Sequence, residues 1–88
     1  MNVDYKECFF RSVKKIIDPA LKEKVEHVIK SVKAAKTLKD ISGLKKLKGE
    51  KTSYRIRLGD YRIGVNIEND MVTFDTFGHR KNIYKKFP

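Results

Sequence analysis

The stretch Tyr54-Arg55-Ile56-Arg57-Leu58-Gly59-Asp60-Tyr61-Arg62-Ile63-Gly64-Val65 decides the fold, because alternating runs on either side of Gly-Asp are the pattern of a β-hairpin with a two-residue loop. Side chains alternate faces along a strand. Taking Gly59 and Asp60 as the loop sets Leu58 opposite Tyr61, Arg57 opposite Arg62, Ile56 opposite Ile63 and Arg55 opposite Gly64. One face is then apolar, and the other carries Arg55, Arg57 and Arg62. Like charges directly opposite on a sheet repel, so Arg57 beside Arg62 makes sense mainly where an anion lies against them. The competing reading is a solvated sheet face whose arginines pair with nearby acids.

Downstream, Asn69-Asp70 makes a second turn and Met71 to Phe77 a third strand, with Val72 and Phe74 on the apolar face and Thr73, Asp75 and Phe77 on the other. This register sets Asp75 against Gly64 and Phe77 against Arg62. Asp75 is therefore the expected partner of Arg55, while Arg57 and Arg62 keep no acid. Gly78 permits a bend that brings Arg80 back over the arginine face. Upstream, Lys45, Lys46, Lys48 and Lys51 crowd around Gly49, so the entry to the hairpin is itself basic.

Between Thr37 and Leu47 a period of three in Leu38, Ile41, Leu44 and Leu47 reads as a short helical turn followed by a loop. Before it come two helices. The first starts near Glu7 and carries Phe9, Val13, Ile16 and Ile17, with Phe10 widening the stripe. Asp18 then caps a second helix that begins with Pro19 and lines Leu21, Val25, Val28, Ile29 and Val32 on one face to about Lys33. Asn2 to Lys6 reads as a short first strand with Val3 and Tyr5 on one face. The expected fold is α+β, an N-terminal helix hairpin packed on a small antiparallel sheet, with residues 1–88 as one domain.

Eighty-eight residues supply a single modest core. The net charge of +10 implies attraction to polyanions or to an acidic protein. Lysine is spread along the chain, whereas Arg55, Arg57, Arg62 and Arg80, four of the five arginines, fall in the C-terminal half. Arginine is the planar fork that grips phosphate bidentately. Cys8 is the one cysteine, which rules out an intrachain disulfide and points to a reducing compartment; it is read as a semi-buried helix residue. No apolar run approaches the roughly 20 residues that span a bilayer, no signal pattern opens the chain, and a cytoplasmic location without membrane association is expected.

Neither His27 nor His79 has ligand-spaced neighbours, and there is no glycine-rich phosphate loop, so no metal or cofactor is expected. What remains is a basic surface of Arg55, Arg57, Arg62 and Arg80 with Phe77 and Tyr84 nearby and Lys48, Lys51 and Lys81 around it. Guanidinium on phosphates with aromatic rings on splayed bases suits single-stranded RNA. RNA carries its own nucleophile in the 2′-OH. A surface that holds that group in line and stabilises charge on the phosphorane can therefore cleave it. For Tyr84 a place in a C-terminal core beside Ile83 and Phe87 is the competing reading, and for His79 a plain surface position.

The order of helix hairpin, meander, Leu47-Lys48-Gly49, Gly59-Asp60-Tyr61-Arg62, Gly78-His79-Arg80 and Ile83-Tyr84 resembles the RelE side of the RelE/ParE toxin superfamily over almost the whole chain. The resemblance implies a toxin of a type II toxin–antitoxin system. Such a toxin cuts mRNA in the ribosomal A site, without a metal, by attack of the 2′-OH, and a cognate acidic antitoxin neutralises it. Carried over by motif, Arg62 resembles the arginine that stabilises the scissile phosphate, Arg80 the one that assists the leaving 5′ oxygen, and Tyr84 the tyrosine that stacks on the target nucleotide. RelE itself has two lysines where this chain has Arg55 and Arg57, and one of them is thought to help activate the 2′-OH. An arginine keeps its proton in proteins and is a poor base, so that role passes to electrostatics, to Tyr84 or to His79. ParE-like members share the fold and poison DNA gyrase. A third reading is an inactive basic domain that binds RNA or a partner.

Overall fold

A computed structural model describes all residues from Met1 to Pro88. Its centre is the expected hairpin, formed by β3 (Ser53–Leu58) and β4 (Tyr61–Glu68), and every pair read from the sequence is present, including Arg57 opposite Arg62. The loop suits its residues. Gly59 takes φ +61, a conformation glycine adopts without penalty. In the next turn Asn69 and Asp70 both adopt positive φ, at 51° and 64°, the left-handed values required at both central residues of a type I′ hairpin.

Five strands form one sheet in the order β1-β5-β4-β3-β2, with β1 spanning Asn2–Tyr5, β2 Leu44–Lys46 and β5 Met71–His79. Two expectations need correction. The sheet is mixed, because β1 runs parallel to β5, which the intervening helices permit and a tight turn would not. And part of the segment after the short helical turn at Leu38–Asp40, expected as a loop, is an edge strand paired antiparallel to β3. Three residues with two lysines among them carry too little alternation to be read as a strand from sequence.

The apolar face of the sheet is covered by α1 (Glu7–Lys14) and α2 (Pro19–Ala34), whose Phe9, Val25 and Val32 join Ile56, Ile63, Val65, Val72 and Phe74 in one buried core. The Asp18 carboxylate accepts the Ala20 amide at 3.0 Å, and Pro19 follows at the first helical position, as the start signal required. The first helix stops sooner than its stripe suggests. Ile17 lies in the connection, 94% exposed, so it does not belong to the core. Cys8 is also exposed rather than semi-buried, with its Sγ 3.7 Å from the Thr76 hydroxyl.

The largest departure lies in β5. The β4/β5 register shifts between Gly64 and Val65, so that Val65 faces Phe74 while Gly64 faces Thr76, and Asp75 is the extra residue of a bulge. Beyond it every side chain changes face relative to the unshifted register. Phe77 opposes Ile63 instead of Arg62, is only 8% exposed, and stacks on Tyr61 with ring centroids 5.3 Å apart. Asp75 does not reach Arg55. It holds Lys6 Nζ at 2.8 Å and accepts from Asn66 Nδ2 at 3.3 Å. The bond to Lys6, followed by the charge of Asp75, raises the Lys6 ammonium pKa above its ordinary 10.5.

The Asp40 carboxylate closes the turn before β2 by accepting the amides of Thr37 and Lys36, both at 3.1 Å. These bonds, the Thr37 amide first, hold its pKa below the ordinary 3.8. A depressed carboxylate stabilises the fold fully above its unfolded pKa, and the contribution is lost as pH falls through the lower folded value. Asp40→Asn should therefore lower the thermal midpoint at neutral pH and make its decline between roughly pH 5 and pH 2 shallower than in the wild type. Parallel acid limbs in a pH series of melting curves would refute this.

Candidate nucleic-acid interface

The face of β3 and β4 opposite the core is where the chain's arginines gather. Along one row Arg55 of β3, Gly64 of β4 and Thr76 of β5 are neighbours; along the next come Arg57, Arg62 and Gly78. On the outer side of β3, Lys45 sits directly opposite Arg55. The C-terminal segment folds back over this face through a single 3₁₀ turn at Ile83–Lys85. Between that turn and β2 lies a cleft of about 600 Å³ lined by Lys45, Lys46, Leu47, Lys48, Arg55, Arg62, Arg80 and Tyr84. Six of these eight residues are cationic and none is acidic. Such crowding of like charge opposes folding and favours a bound anion.

Backbone carbonyls, which are abundant near turns, hold the guanidiniums. Arg55 Nη1 donates to the Gly43 carbonyl at 2.6 Å, and Arg62 Nη1 donates to the carbonyls of Gly59 and Tyr61 at 2.6 and 2.8 Å. These neutral acceptors orient the forks and leave their charge uncompensated, unlike a carboxylate partner. Arg80 differs from these two in having an acid nearby. Its Nε is 3.9 Å from Asp60 Oδ1, and its backbone amide donates to the Asp60 carbonyl at 2.8 Å, which ties the segment after β5 to the hairpin loop. At that distance and exposure the ion pair is weak. Tyr84 stands 49% exposed at the cleft, so its ring face is available and the competing core reading does not hold for it.

Of the residues singled out in the sequence, the fold therefore brings Arg55, Arg62, Arg80, Tyr84 and Lys48 together. It adds Lys45 and Lys46 from the basic entry to the hairpin, which alternation alone does not assign to the site, and the apolar Leu47. Phe77 is not available to stack on a base, because the bulge turns it into the core. His79 pairs with Tyr61 across the strands and sits edge-on to its ring at 5.4 Å, while its Nδ1 accepts the Lys81 amide at 3.2 Å. It belongs to the Tyr61 side of the sheet and does not line the cleft. Arg57, Lys51 and Lys81 also lie outside the lining, Arg57 being exposed on the same face beside Arg62.

This architecture is shared with toxins. Over the full length of both chains the sequence is 33% identical to Toxin RelE3 of Methanocaldococcus jannaschii. The chain belongs to the RelE toxin family. No protein-family model matches it. Among solved structures, RelE in the RelB–RelE antitoxin–toxin complex from Methanococcus jannaschii superposes with a TM-score of 0.80 at 30% identity, over 97% of this chain and 99% of that one. RelE in the RelE–RelB complex of Pyrococcus horikoshii shares the fold at 16% identity, with a TM-score of 0.73 over 92% and 96% of the two chains. The RelE-like α+β architecture that the motif resemblance implies is thus present. No helix is long and apolar enough to cross a membrane.

If the cleft of this RelE-family chain binds phosphates, its affinity for a single-stranded RNA oligonucleotide should fall steeply with salt. Arg62→Ala should weaken binding by about tenfold and make the slope of log K against log salt shallower by about 0.7 for each phosphate left without its cation. The thermal midpoint should move by only a few degrees, since of the deleted bonds one is exposed and the other only part-buried, and repulsion from Arg57 is relieved. An unchanged affinity with a large drop in stability would make Arg62 a structural residue.

Proposed function

We propose that the chain is the toxin of a toxin–antitoxin pair and acts as an endoribonuclease on mRNA in the ribosome. The observation that carries this reading is the acid-free cleft in which Arg55, Arg62, Arg80 and three lysines surround the exposed ring of Tyr84. In this reading the ring of Tyr84 stacks on the target nucleotide and the guanidiniums of Arg55 and Arg62 hold the scissile phosphate. The 2′-OH of the substrate attacks that phosphate in line, the P–O5′ bond breaks, and the products are a 2′,3′-cyclic phosphate and a 5′-hydroxyl. Arg62, already oriented by the hairpin carbonyls, stabilises the extra negative charge of the phosphorane, and Arg80 assists the departing 5′ oxygen.

The cleft presents no carboxylate, imidazole or thiolate, and no cluster of three or more such groups occurs anywhere in the fold. Its proton-exchanging groups are therefore the lysines and Tyr84, since guanidinium does not deprotonate in proteins. His79, a candidate base by its position in the sequence, faces Tyr61 instead. With no strong base at hand, the rate depends on holding the RNA kinked and in line. Such positioning contributes on the order of 7 kcal/mol or more when it is good, and in this proposal the ribosomal A site supplies it.

Two solved relatives are RelE chains in complex with RelB. Together with the net charge of +10, this supports an acidic RelB-type antitoxin as the partner. A partner that binds only the folded toxin stabilises it by roughly 4 kcal/mol at a thousandfold excess over its dissociation constant.

Purified protein added to translating ribosomes tests the reading. Cuts in mRNA ending in 2′,3′-cyclic phosphate and 5′-hydroxyl, much faster than on naked RNA, are expected. Arg62→Ala and Arg80→Ala should each lower the rate by about a hundredfold or more, equivalent to roughly 3 kcal/mol of transition-state stabilisation. His79→Gln should leave the pH dependence of cleavage as it is in the wild type. Inhibition of gyrase without cuts would replace this function with the ParE-like one, and the absence of both would leave a binding domain. Products ending in 5′-phosphate would overturn the mechanism.

A further inference from the structure

Two glycines in the sheet, Gly64 and Gly78, lie under the C-terminal turn, and neither adopts positive φ. Backbone conformation does not explain them, but space does. A Cβ built on Gly64 would fall 2.6 to 2.9 Å from three ring atoms of Phe87, well inside contact distance. At Gly78 the nearest neighbour would be Ile83 at 3.7 Å, an ordinary contact. Phe87 is 2% exposed and Ile83 4%, although both belong to a short terminal segment on the face of the sheet away from the main core. Backbone bonds link the two, the Phe87 amide donating to the Ile83 carbonyl at 3.0 Å and the Lys86 amide to the same oxygen at 3.1 Å. Tyr84 is carried on this closed turn.

We propose that Phe87 is a positioning residue: its ring, plugged into the vacancy at Gly64, sets where Tyr84 stands in the cationic cleft. The geometry supports a direct mechanical link. Gly64 sits between Arg62 and Asn66 on β4 and opposite Arg55 on β3, so the plug seats in the row of Arg55 and beside the row of Arg62. With Ile83 as a second, looser peg over Gly78, the turn is pinned at two points and the ring of Tyr84 projects from between them. Displacing the Phe87 ring moves Tyr84 while the arginines, which stand on strands, remain in place. The catalytic consequence rests on the ribonuclease reading above, whereas the positional link does not.

The experiment therefore has two readouts. Protein labelled with 3-fluorotyrosine shows one ¹⁹F resonance for each of its four tyrosines, and Tyr84→Phe assigns the one of interest. Gly64→Ala should shift and broaden the Tyr84 resonance and lower kcat for ribosomal mRNA cleavage by about a hundredfold, with KM within about threefold of wild type, because misplacement by about 1 Å costs that much. Gly78→Ala should leave both readouts at wild-type values. Gly64→Ala combined with Phe87→Leu, whose smaller and more flexible side chain makes room for the methyl group, should return the resonance and recover the rate to within about tenfold. Phe87→Leu alone, which keeps an apolar plug without adding bulk beneath it, serves as the variant for the case that Gly64→Ala does not fold, and it should move the Tyr84 resonance less than Phe87→Ala does. A Tyr84 resonance that stays put in Gly64→Ala and Phe87→Ala overturns the proposal. If the wild type cuts no mRNA, the ribonuclease reading fails and the resonance alone judges the link.

Discussion

The bulge at Asp75 is the constraint on which the C-terminal third of the molecule depends. One unpaired residue shifts the β4/β5 register by one for the pairs from Gly64–Thr76 to Tyr61–His79. Because side chains alternate faces, that single residue sends Phe77 into the core against Ile63 and Tyr61 and puts Gly78, not an aromatic ring, next to Arg62. The space above Arg62 and Gly64 is thereby left for the returning terminal turn. Without the bulge Phe77 would stand opposite Arg62, in the place from which Tyr84 and Arg80 now approach. The bulged residue is itself secured beside the terminal turn, where Asp75 binds Lys6 and Asn66, and Asn66 in turn accepts the hydroxyl of Ser53 at 3.1 Å.

The second organising feature is electrostatic. Two cross-strand pairs on one face, Lys45 with Arg55 and Arg57 with Arg62, place cation against cation. Each costs stability relative to a neutral or opposite-charge pair, and no carboxylate in the cleft offsets it. The core under the other face carries that burden, with Ile56 and Ile63 each 1% exposed or less in one cluster with Phe9 and Phe74. Arg62 and Arg55 are aimed by carbonyl oxygens and not by acids. This orients the charge without cancelling it, which is what a surface meant for phosphate requires. Asp60 sits at the rim by the hairpin loop, and Asp75, on the same face, lies outside the cleft beside Asn66 and Phe87, where Lys6 neutralises it.

Local and pairwise chemistry was legible in the sequence. The hairpin register followed from alternation and from Gly59-Asp60; the start of the second helix followed from Asp18-Pro19; the concentration of arginine on one face followed from the period of two. Arg62, Arg80 and Tyr84 were found as a group by motif, and the fold does gather them. These features depend on neighbours a few residues apart or on one turn, so the chain carries them in short words. What only the tertiary structure decided depends on contacts distant in sequence. The bulge has no signature of its own, because Asp75 reads as an ordinary outward-facing strand residue until Lys6, near the opposite end of the chain, is seen to hold it. Periodicity alone therefore put Phe77 on the wrong face and left His79 without its Tyr61 neighbour. The edge strand at Leu44–Lys46 exists because β3 offers it unpaired backbone groups, not because three residues with two lysines favour a strand. Alternation places Gly64 opposite Arg55 without saying why it is glycine, and only the approach of Phe87 from the far end of the chain shows why a side chain is excluded there.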